Sequence, residues 1–503
     1  MSSTIAGSQT IPPNHPEIAV SDAALSQPNL APRMRVVIPL VVGCAFFMEG
    51  LDSTMIAVSI PAMAKSLGES PLRLNLVIAS YLLSLAVFIP VSGWIADRLG
   101  TRIVFCVAVL IFAAGSALCG ISTSLPMLVG FRVVQGFGGA MMTPVGRLIL
   151  LRSFPRSQLI SAMNWMTIPA MIGPTVGPIV GGVLTTYASW RWVFYLNIPM
   201  GVLGAVLGFL LFENYRAPAP TRFDIGGFLI AALGLFLFEF AIENLGRPMI
   251  APWAGELFFP ISLAIFYLYV RHARRAAAPV LDLTLLRIKT FRIGTLVGGV
   301  CRMGLDATPF MLPLLFQVGF GFSPMQAGSL TFSSTLGAML VRSGSKWLLR
   351  WLGFRRALVW GALGGAVVTA TFALLDADTP TWIVVACILA SGCVRSIQYL
   401  ALNTISFADV PSALLSRSTS VSGVFQQLAR GFGVALGAAL LAIVAGGDRV
   451  SAGNFRIVFL LIAAIPLISA AGFLQLGEAD GAEVSGHPAH APDAEGKAKQ
   501  GAE

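Results

Sequence analysis

Charged residues are scarce in this chain of 503 residues: Asp, Glu, Lys and Arg together make up 11% of it. A soluble globular domain carries about 25% charged residues, so this composition cannot cover a folded surface in water, and a soluble protein is excluded. Hydrophobic residues make up 56%. They come in continuous stretches of about 20, the length of helix that crosses a hydrocarbon layer about 30 Å thick. The sequence therefore predicts an all-α protein that crosses a membrane many times.

The residue patterns of most enzymes and metal sites are also missing. No HExxH sequence and no CxxC pair occurs, and none of the four histidines lies in an apolar stretch, so metal chemistry is not indicated. No GxxxxGKS or GxxxxGKT phosphate loop and no GxSxG sequence occurs, which argues against ATP hydrolysis and serine-hydrolase chemistry. A membrane sensor would usually carry a sizeable soluble domain, whereas the longest soluble stretches here are the termini. We therefore expect no enzyme activity, no metal and no cofactor.

Fourteen apolar stretches are predicted to span the membrane, with boundaries accurate to a few residues. They lie at about 36–58, 74–96, 103–122, 126–150, 160–187, 192–212, 225–244, 253–270, 293–317, 325–344, 357–375, 381–402, 419–445 and 456–476. With the N-terminus in the cytoplasm, most Lys and Arg residues fall on the cytoplasmic side, Arg147 and Arg342 among them. The few that fall outside are Lys65, Arg73, Arg191, Arg247, Arg449 and Arg456.

This asymmetry of basic residues predicts a multi-pass membrane protein with both termini in the cytoplasm. It also accounts for the net charge of +10. We therefore expect the lipid bilayer, and no nucleic acid, as a partner.

The longest basic connector, 271–292, divides the predicted spans into six, two and six. A weak repeat supports this division, because GWIADRLGTR at 93–102 follows the second span and the related SKWLLRWLGFRR at 345–356 follows the tenth. Two six-helix halves with repeat symmetry are typical of a secondary transporter whose site lies between them. The predicted regions are a disordered cytoplasmic N-terminus at 1–34, a six-helix bundle at 35–215, a two-helix insertion with its connector at 216–290, a second six-helix bundle at 291–477 and a disordered cytoplasmic tail at 478–503.

Glu49, Asp52 and Arg132 are ionisable residues within the spans of the first half. Asp52 lies about 24 Å from the cytoplasmic end of the first span and Arg132 about 9 Å from the outer end of the fourth, so the two share a depth. Glu49, three residues before Asp52, lies on the same helix face. Because a charge is costly inside a membrane, we predict that Asp52, and after it Glu49, carries a coupling proton whose affinity Arg132 tunes. A static ion pair that only fixes helix packing is the alternative.

The second half has an excess of positive charge within its spans. Arg302 and Asp306 lie four residues apart on one face of the ninth span, and Arg395 and Arg430 lie in the twelfth and thirteenth. We assign these four residues and Gln135 to a candidate substrate cavity, where the arginines favour an anionic or carboxylated substrate. Alternatively, the arginines bond to helix-end carbonyls or extend to the membrane surface.

Five sequence motifs occur in order: LDSTMIAVSIP at 51–61, GWIADRLGTR at 93–102, FRVVQGFGGA at 131–140, GPTVGPIVGG at 173–182 and WRWVFYLNIPMG at 190–201. With them the chain, over about residues 34–476, resembles the major facilitator superfamily. Within that superfamily it is most similar to the fourteen-span drug:proton antiporters, in their MdtD-like bacterial branch. The resemblance implies two six-helix bundles with two additional helices in a bacterial inner (plasma) membrane. We expect one chain to be the functional unit. The resemblance also implies proton-driven export of small molecules by alternating access, with multidrug efflux as the first candidate and export of an anionic metabolite or metal chelate as the alternative.

By the same resemblance, the connector after the second span forms a gate and the fifth span carries an antiporter motif. The gate residues are Asp97, Arg98, Gly100 and Arg102. The antiporter motif consists of Gly173, Pro174, Gly177, Pro178, Gly181 and Gly182. A plain basic turn would explain the arginines of the gate but not Asp97, and close helix packing would by itself demand small residues four apart.

The seventh and eighth predicted spans have no counterpart in the two halves. Glu239 and Glu243 share one face of the seventh. We expect them at the outer membrane interface, with a position at the side of the cavity as the alternative.

Overall fold

The computed structural model describes residues 33–69, 73–217, 222–246, 252–322, 324–342, 344–446 and 451–485, and in these residues it contains helices and no strand. Fourteen long helices lie in this described part of the chain. They are α1 (Met34–Leu67), α2 (Asn75–Phe88, Ile89–Val91 and Ser92–Leu99), α3 (Thr101–Gly120), α4 (Leu125–Ser153), α5 (Arg156–Tyr187), α6 (Trp192–Tyr195 and Asn197–Leu211), α7 (Ile225–Gly246), α8 (Pro252–Ala273), α9 (Lys289–Arg292, Ile293–Val297, Gly298–Leu314 and Leu315–Gly319), α10 (Pro324–Arg342), α11 (Ser345–Thr371), α12 (Thr381–Ala408), α13 (Leu415–Ala445) and α14 (Ala452–Phe473).

Ten of the described helices are long and apolar enough to cross a membrane. The helices α7 and α8 hold shorter apolar segments, Ile225–Ala241 and Leu257–Ala273. The helices α9 and α10 are interrupted by polar residues, which lowers their hydropathy without shortening them. The chain is therefore a multi-pass membrane protein, and the count of fourteen spans stays a prediction.

The helices of each half pack in the same pattern. In the first half, α1 packs on α5 and α6, α2 on α4, and α3 on α4 and α6. Each of these pairs recurs eight helices later: α9 packs on α13 and α14, α10 on α12, and α11 on α12 and α14. This correspondence explains the weak sequence repeat, since equivalent connectors must make equivalent turns.

Two glycines of that repeat have the same backbone function. Gly100 has φ 100° between α2 and α3, and Gly353 has φ 68° at a kink within α11. Residues with a Cβ atom rarely adopt positive φ, so glycine is needed at both sites. The equivalent glycines support the repeat that the sequence suggested.

The extra helix α7 lies across the boundary between the halves, packed on α2 from one side and α13 from the other. Phe228 stacks on Phe88, with ring centroids 6.4 Å apart, and Phe238 stacks on Phe432, also at 6.4 Å. Glu239 is only 2% exposed and its carboxylate lies against Gly431 of α13. The structure therefore differs from the expectation of an interfacial Glu239, because α13 covers this face of α7. The side chain of Glu243 lies outside the described residues.

The start of the C-terminal tail, predicted to be disordered from residue 478, packs on the bundle as far as residue 485. Three of its acidic residues form ion pairs of 3.0–3.1 Å with both halves: Glu478 with Arg356, Asp480 with Lys289, and Glu483 with Arg156. Val484 is buried beside them. Composition alone could not reveal this packing, because the partners of the acidic residues are remote in sequence.

Candidate functional site

The carboxylate of Asp52 is completely buried within the first half and accepts three hydrogen bonds. Arg132 Nη1 donates to Asp52 Oδ2 at 2.6 Å. Gln135 Nε2 and Asn197 Nδ2 both donate to Asp52 Oδ1 at 2.9 Å. Charge-assisted hydrogen bonds of this kind are the strong ones, so the network holds α1, α4 and α6 together through one carboxylate.

The guanidinium of Arg132 has three further partners besides Asp52. Its Nε donates to the Val77 carbonyl at 3.1 Å, and its Nη1 also donates to Gln135 Oε1 at 2.7 Å. The ring of Tyr81 lies 4.3 Å from the guanidinium carbon, within the range of a cation–π contact. Arg132 and Gln135 reach the same carboxylate because residues three apart lie on one face of a helix.

The structure brings Asp52 and Arg132 together as their depths predicted. It places Gln135, which the sequence assigned to the substrate cavity, in the Asp52 network with a side chain that is 0% exposed. Its role in the cavity stays a prediction. Asn197 was not singled out from the sequence, although it lies in the motif at 190–201. The feature of the sequence that could have pointed to Asn197 is its single amide side chain in an otherwise apolar helix.

Glu49 does not join this hydrogen-bond network. It is partly exposed, whereas Asp52, one turn further along α1, is fully buried. Its electrostatic neighbours are Arg430 of the second half, Asp52 and Arg147. Glu49 is thus a partly exposed carboxylate one turn from the buried one.

In the second half, Arg302 and Asp306 are linked through Tyr399 and do not form a direct ion pair. Arg302 lies over the Tyr399 ring at 4.8 Å and donates to Asn403 Oδ1 at 2.7 Å. The hydroxyl of Tyr399 donates to Asp306 Oδ1. Arg302 is buried and Asp306 is partly exposed, so Tyr399, which the sequence did not single out, joins a buried cation to a reachable carboxylate.

The other two predicted arginines differ in their surroundings. Arg395 donates to Ser334 Oγ of α10 at 3.3 Å. Arg430 is exposed, and its acidic electrostatic neighbours are Asp306 and Glu49. These two carboxylates come from opposite halves, so Arg430 interacts electrostatically with both.

Two arginines that the sequence placed among the cytoplasmic topology signals are buried between helices. Arg147 lies within α4 and donates to Gln426 Oε1 of α13 at 3.2 Å. Arg342 donates to the backbone carbonyl and to Oδ1 of Asn164 in α5, at 3.0 and 2.9 Å. The sequence did not predict these contacts, because a single sequence does not show which helix of the other half covers a basic residue. The cytoplasmic placement of both arginines stays a prediction.

The end of the bundle that carries Arg98, Arg152 and Arg417, here called the basic end, is closed by contacts between the halves. Asp97 of α2 accepts hydrogen bonds from Arg152 Nη2 at 3.4 Å and from the hydroxyl of Ser416, at the start of α13. Nearby, the Gly93 amide donates to Ser420 Oγ at 2.9 Å. A Cβ atom on Gly93 would lie 2.5 Å from the Ser416 carbonyl, so the helices approach as closely as glycine allows.

The remaining predicted gate residues shape the turn after α2. The guanidinium of Arg98 lies over Trp94 at 5.5 Å, and that of Arg102 over Phe209 at 5.0 Å. The positive φ of Gly100 turns the chain so that Asn214 Oδ1 accepts from the Arg102 amide at 3.1 Å. Of the four, only Asp97 contacts the other half through a hydrogen bond that the described residues record.

The antiporter motif is the surface on which α5 meets α1. Gly173, Gly177 and Gly181 are buried, and Cβ atoms on them would meet Phe47, Thr54 and Met55 of α1. At Gly182 a Cβ would find only Val58, at 4.0 Å. Pro174 and Pro178 are exposed, and the Pro174 ring also lies against α1, where it would be 2.6 Å from a Cβ on Gly50. The spacing therefore serves close helix packing, and its link to export stays a prediction.

The matches to known proteins agree with this architecture. Residues 42–438 match the family model of the Major Facilitator Superfamily. The chain belongs to this superfamily. Its relatives are therefore transporters, not enzymes, and they act on small molecules within a membrane.

Two relatives are the MdtD proteins of Salmonella paratyphi A and Salmonella typhimurium, named for multidrug resistance. Each is 39% identical over 401 residues, which cover 80% of this chain and 85% of the relative. Among solved structures, the human organic anion transporter MFSD10 superposes with a TM-score of 0.62 over 88% of this chain and 100% of its own. The proton:xylose symporter XylE does so with a TM-score of 0.63 over 89% and 97%. Both are 14% identical to this chain, so these two likenesses show the fold alone.

Proposed function

We propose that the protein is a proton-coupled antiporter that exports small molecules, with multidrug efflux as the first candidate activity. The observation that carries the proposal is the buried Asp52 carboxylate, held by Arg132, Gln135 and Asn197 of two other helices. A titratable group inside a membrane protein marks a proton or ion path more often than a packing device. The 39% identity to proteins named for multidrug resistance supports the direction and class of transport.

Protonation of Asp52 changes the interactions that its hydrogen-bond network can make. The ionised carboxylate accepts from three donors, whereas a protonated one loses its charge–charge attraction to Arg132. The packing of α1 against α4 and α6 then depends on the proton. Glu49, partly exposed and one turn away, is the group through which a proton from the space between the halves reaches the buried site.

The gate contacts support an orientation for this cycle. Asp97, Ser416 and Gly93 close the basic end, and in the proposed cycle the space around Arg430 and Glu49 opens toward the opposite end. In the proposed orientation the basic end faces the cytoplasm of a bacterium, with both termini there and the chain in the inner membrane. A proton then enters from outside, and its release inside accompanies loading of the exported solute. The proton gradient is the energy source, no further cofactor takes part, and one chain is the working unit.

The test is proton movement in liposomes that contain the purified protein and carry an imposed pH gradient. Adding a transported solute is expected to release protons from the wild type, and Asp52→Asn is expected to abolish this release. The control is Asp376→Asn, which removes an exposed carboxylate that is paired with Arg456 and remote from Asp52. Solute-dependent proton release by the Asp52→Asn protein would exclude Asp52 as the carrier, and a loss in both variants would indicate damage to the protein.

A second candidate substrate class, anionic metabolites or their metal chelates, is favoured by the charges between the halves. Arg147, Arg302 and Arg430 interact electrostatically with one another there, against the carboxylates of Glu49 and Asp306. The same liposome assay separates the classes when cationic drugs and carboxylates are added in turn. Release by carboxylates alone, lost in Arg430→Gln, would establish the anionic class, whereas release by cations would make these arginines structural.

A further inference from the structure

The side chain of Asn197 is satisfied at one end only. Its Nδ2 donates to Asp52 Oδ1 at 2.9 Å and to Ser116 Oγ at 3.0 Å. Its Oδ1 is buried and finds no hydrogen-bond donor among the residues that the structure describes. A buried acceptor without a donor carries the full cost of its desolvation. The amide thus keeps an unused acceptor beside the carboxylate.

The other two donors to Asp52, Arg132 and Gln135, have no free acceptor to offer. Arg132 has donors only. Gln135 uses its oxygen to accept from Arg132 while its nitrogen donates to Asp52. The network therefore suits the ionised carboxylate, and a protonated Asp52 would bring an O–H group that needs an acceptor.

We propose that Asn197 is the positioning residue that lets the buried Asp52 take up a proton, by turning its amide. Rotation about the Cβ–Cγ bond by a half turn puts Oδ1 where Nδ2 now lies, within hydrogen-bond distance of Asp52 Oδ1. The arriving proton forms an O–H bond on Asp52, and that O–H donates to Asn197. Arg132 stays charged and keeps Gln135, the Val77 carbonyl and the Tyr81 ring as partners. The inference rests on the proposed function, since it requires Asp52 to be the proton site.

The hydroxyl of Ser116 suits both positions of the amide. It donates to the Phe194 carbonyl at 2.8 Å while it accepts from Asn197 Nδ2. After the turn, the hydroxyl hydrogen can rotate toward Asn197 Oδ1 instead. Both atoms near the amide nitrogen, Asp52 Oδ1 and Ser116 Oγ, can thus change from acceptor to donor when one proton arrives.

Other charged and titratable groups face this site from several helices. They are Glu49 of α1, Tyr81 of α2, Cys119 of α3, Arg132 of α4 and, from the second half, Arg430 of α13. All are unchanged in the variants of Asn197, so they act equally in each comparison below.

The experiment is infrared difference spectroscopy of the full chain in liposomes, comparing spectra at low and high pH. Wild type is expected to show the C=O band of a protonated buried carboxyl, and Asp52→Asn to lack it. In Asn197→Leu the band is expected at a higher frequency, because the O–H of Asp52 has lost its acceptor. If the leucine variant does not reach the membrane, Asn197→Ser gives the same test, since serine is too short to reach Asp52.

The matched control is Gln135→Leu, which removes a donor at the same 2.9 Å from the same oxygen. It leaves the Asn197 amide in place, so the band is expected at the wild-type frequency. An unshifted band in the Asn197 variants, or an equal shift in Gln135→Leu, would overturn the role of Asn197 while leaving Asp52 as the proton site. A wild type without any Asp52-dependent band would overturn the proposed function and this inference together.

Discussion

Ser416 and Arg417, consecutive residues at the start of α13, hold two different segments of the chain. Ser416 donates to Asp97, at the end of α2 in the first half. Arg417 donates to Asp282, in the connector between α8 and α9, at 3.1 Å. Asp282 also caps the short helix Leu283–Arg287 by accepting from the Thr284 amide at 3.0 Å. One end of α13 is therefore fastened both to the gate of the first half and to the connector.

Arg417→Gln is expected to destabilise the basic end. Asp282 is 5% exposed, so the change leaves a buried carboxylate without its cation. We expect the free energy of unfolding to fall by about 1–2 kcal/mol. The midpoint of thermal unfolding in detergent measures this loss. The control is Arg356→Gln, which breaks a pair of the same 3.1 Å length with Glu478. Both of those side chains are more than half exposed, so a loss of about 0.5 kcal/mol or less is expected; equal effects of the two variants would contradict the argument.

Arg132→Leu is expected to be more damaging than removal of both charges. Alone it leaves Asp52 buried and unpaired, which destabilises a protein by about 3–5 kcal/mol. In Asp52→Asn with Arg132→Leu no buried charge is left, so the unfolding midpoint should recover part of the loss. Additive effects of the two substitutions would show that the residues do not act as a pair.

Gly173→Ala is expected to separate α5 from α1. The added Cβ would lie 2.5 Å from the Phe47 carbonyl oxygen, a backbone atom that cannot rotate away. Overpacking of this kind destabilises by about 1–3 kcal/mol. The control is Gly182→Ala, in the same helix and motif, where the added Cβ would contact only Val58, at 4.0 Å. This variant should leave the unfolding midpoint unchanged or raise it. A similar drop in both would point to a general intolerance of side chains in α5.

Gly93→Ala is expected to shift the protein toward a state with an open basic end. Its Cβ would lie 2.5 Å from the Ser416 carbonyl and 2.6 Å from Ser420 Oγ, both in the other half, so the closed contact must loosen. Distances between spin labels at the exposed positions Leu99 and Trp347 measure the opening. Gly130→Ala, where a Cβ meets nothing within 4 Å, should leave the distances at their wild-type values. Unchanged distances in Gly93→Ala would mean that this contact does not hold the gate closed.

The pattern of apolar and charged residues in the sequence was sufficient to predict membrane helices, two related halves and the proximity of Asp52 and Arg132. These depend on local quantities: the length of an apolar stretch, the rise of a helix and the residues that share its face. The same reasoning did not predict the hydrogen bond from Gln135 to Asp52. Residue type and depth do not say toward which neighbouring helix a side chain points.

Contacts between helices remote in sequence were decided by the tertiary structure alone. Asn197 reaches Asp52 across 145 residues, Arg147 reaches Gln426 across 279, and Ser416 reaches Asp97 across 319. The sequence by itself determined that the chain lies in a membrane and which buried charges must find partners, because burying an unpaired charge is prohibitive in any fold. Only the packing of the helices determined which partners they found, because hydrogen bonds act over about 3 Å and many arrangements satisfy the same pattern of apolar residues.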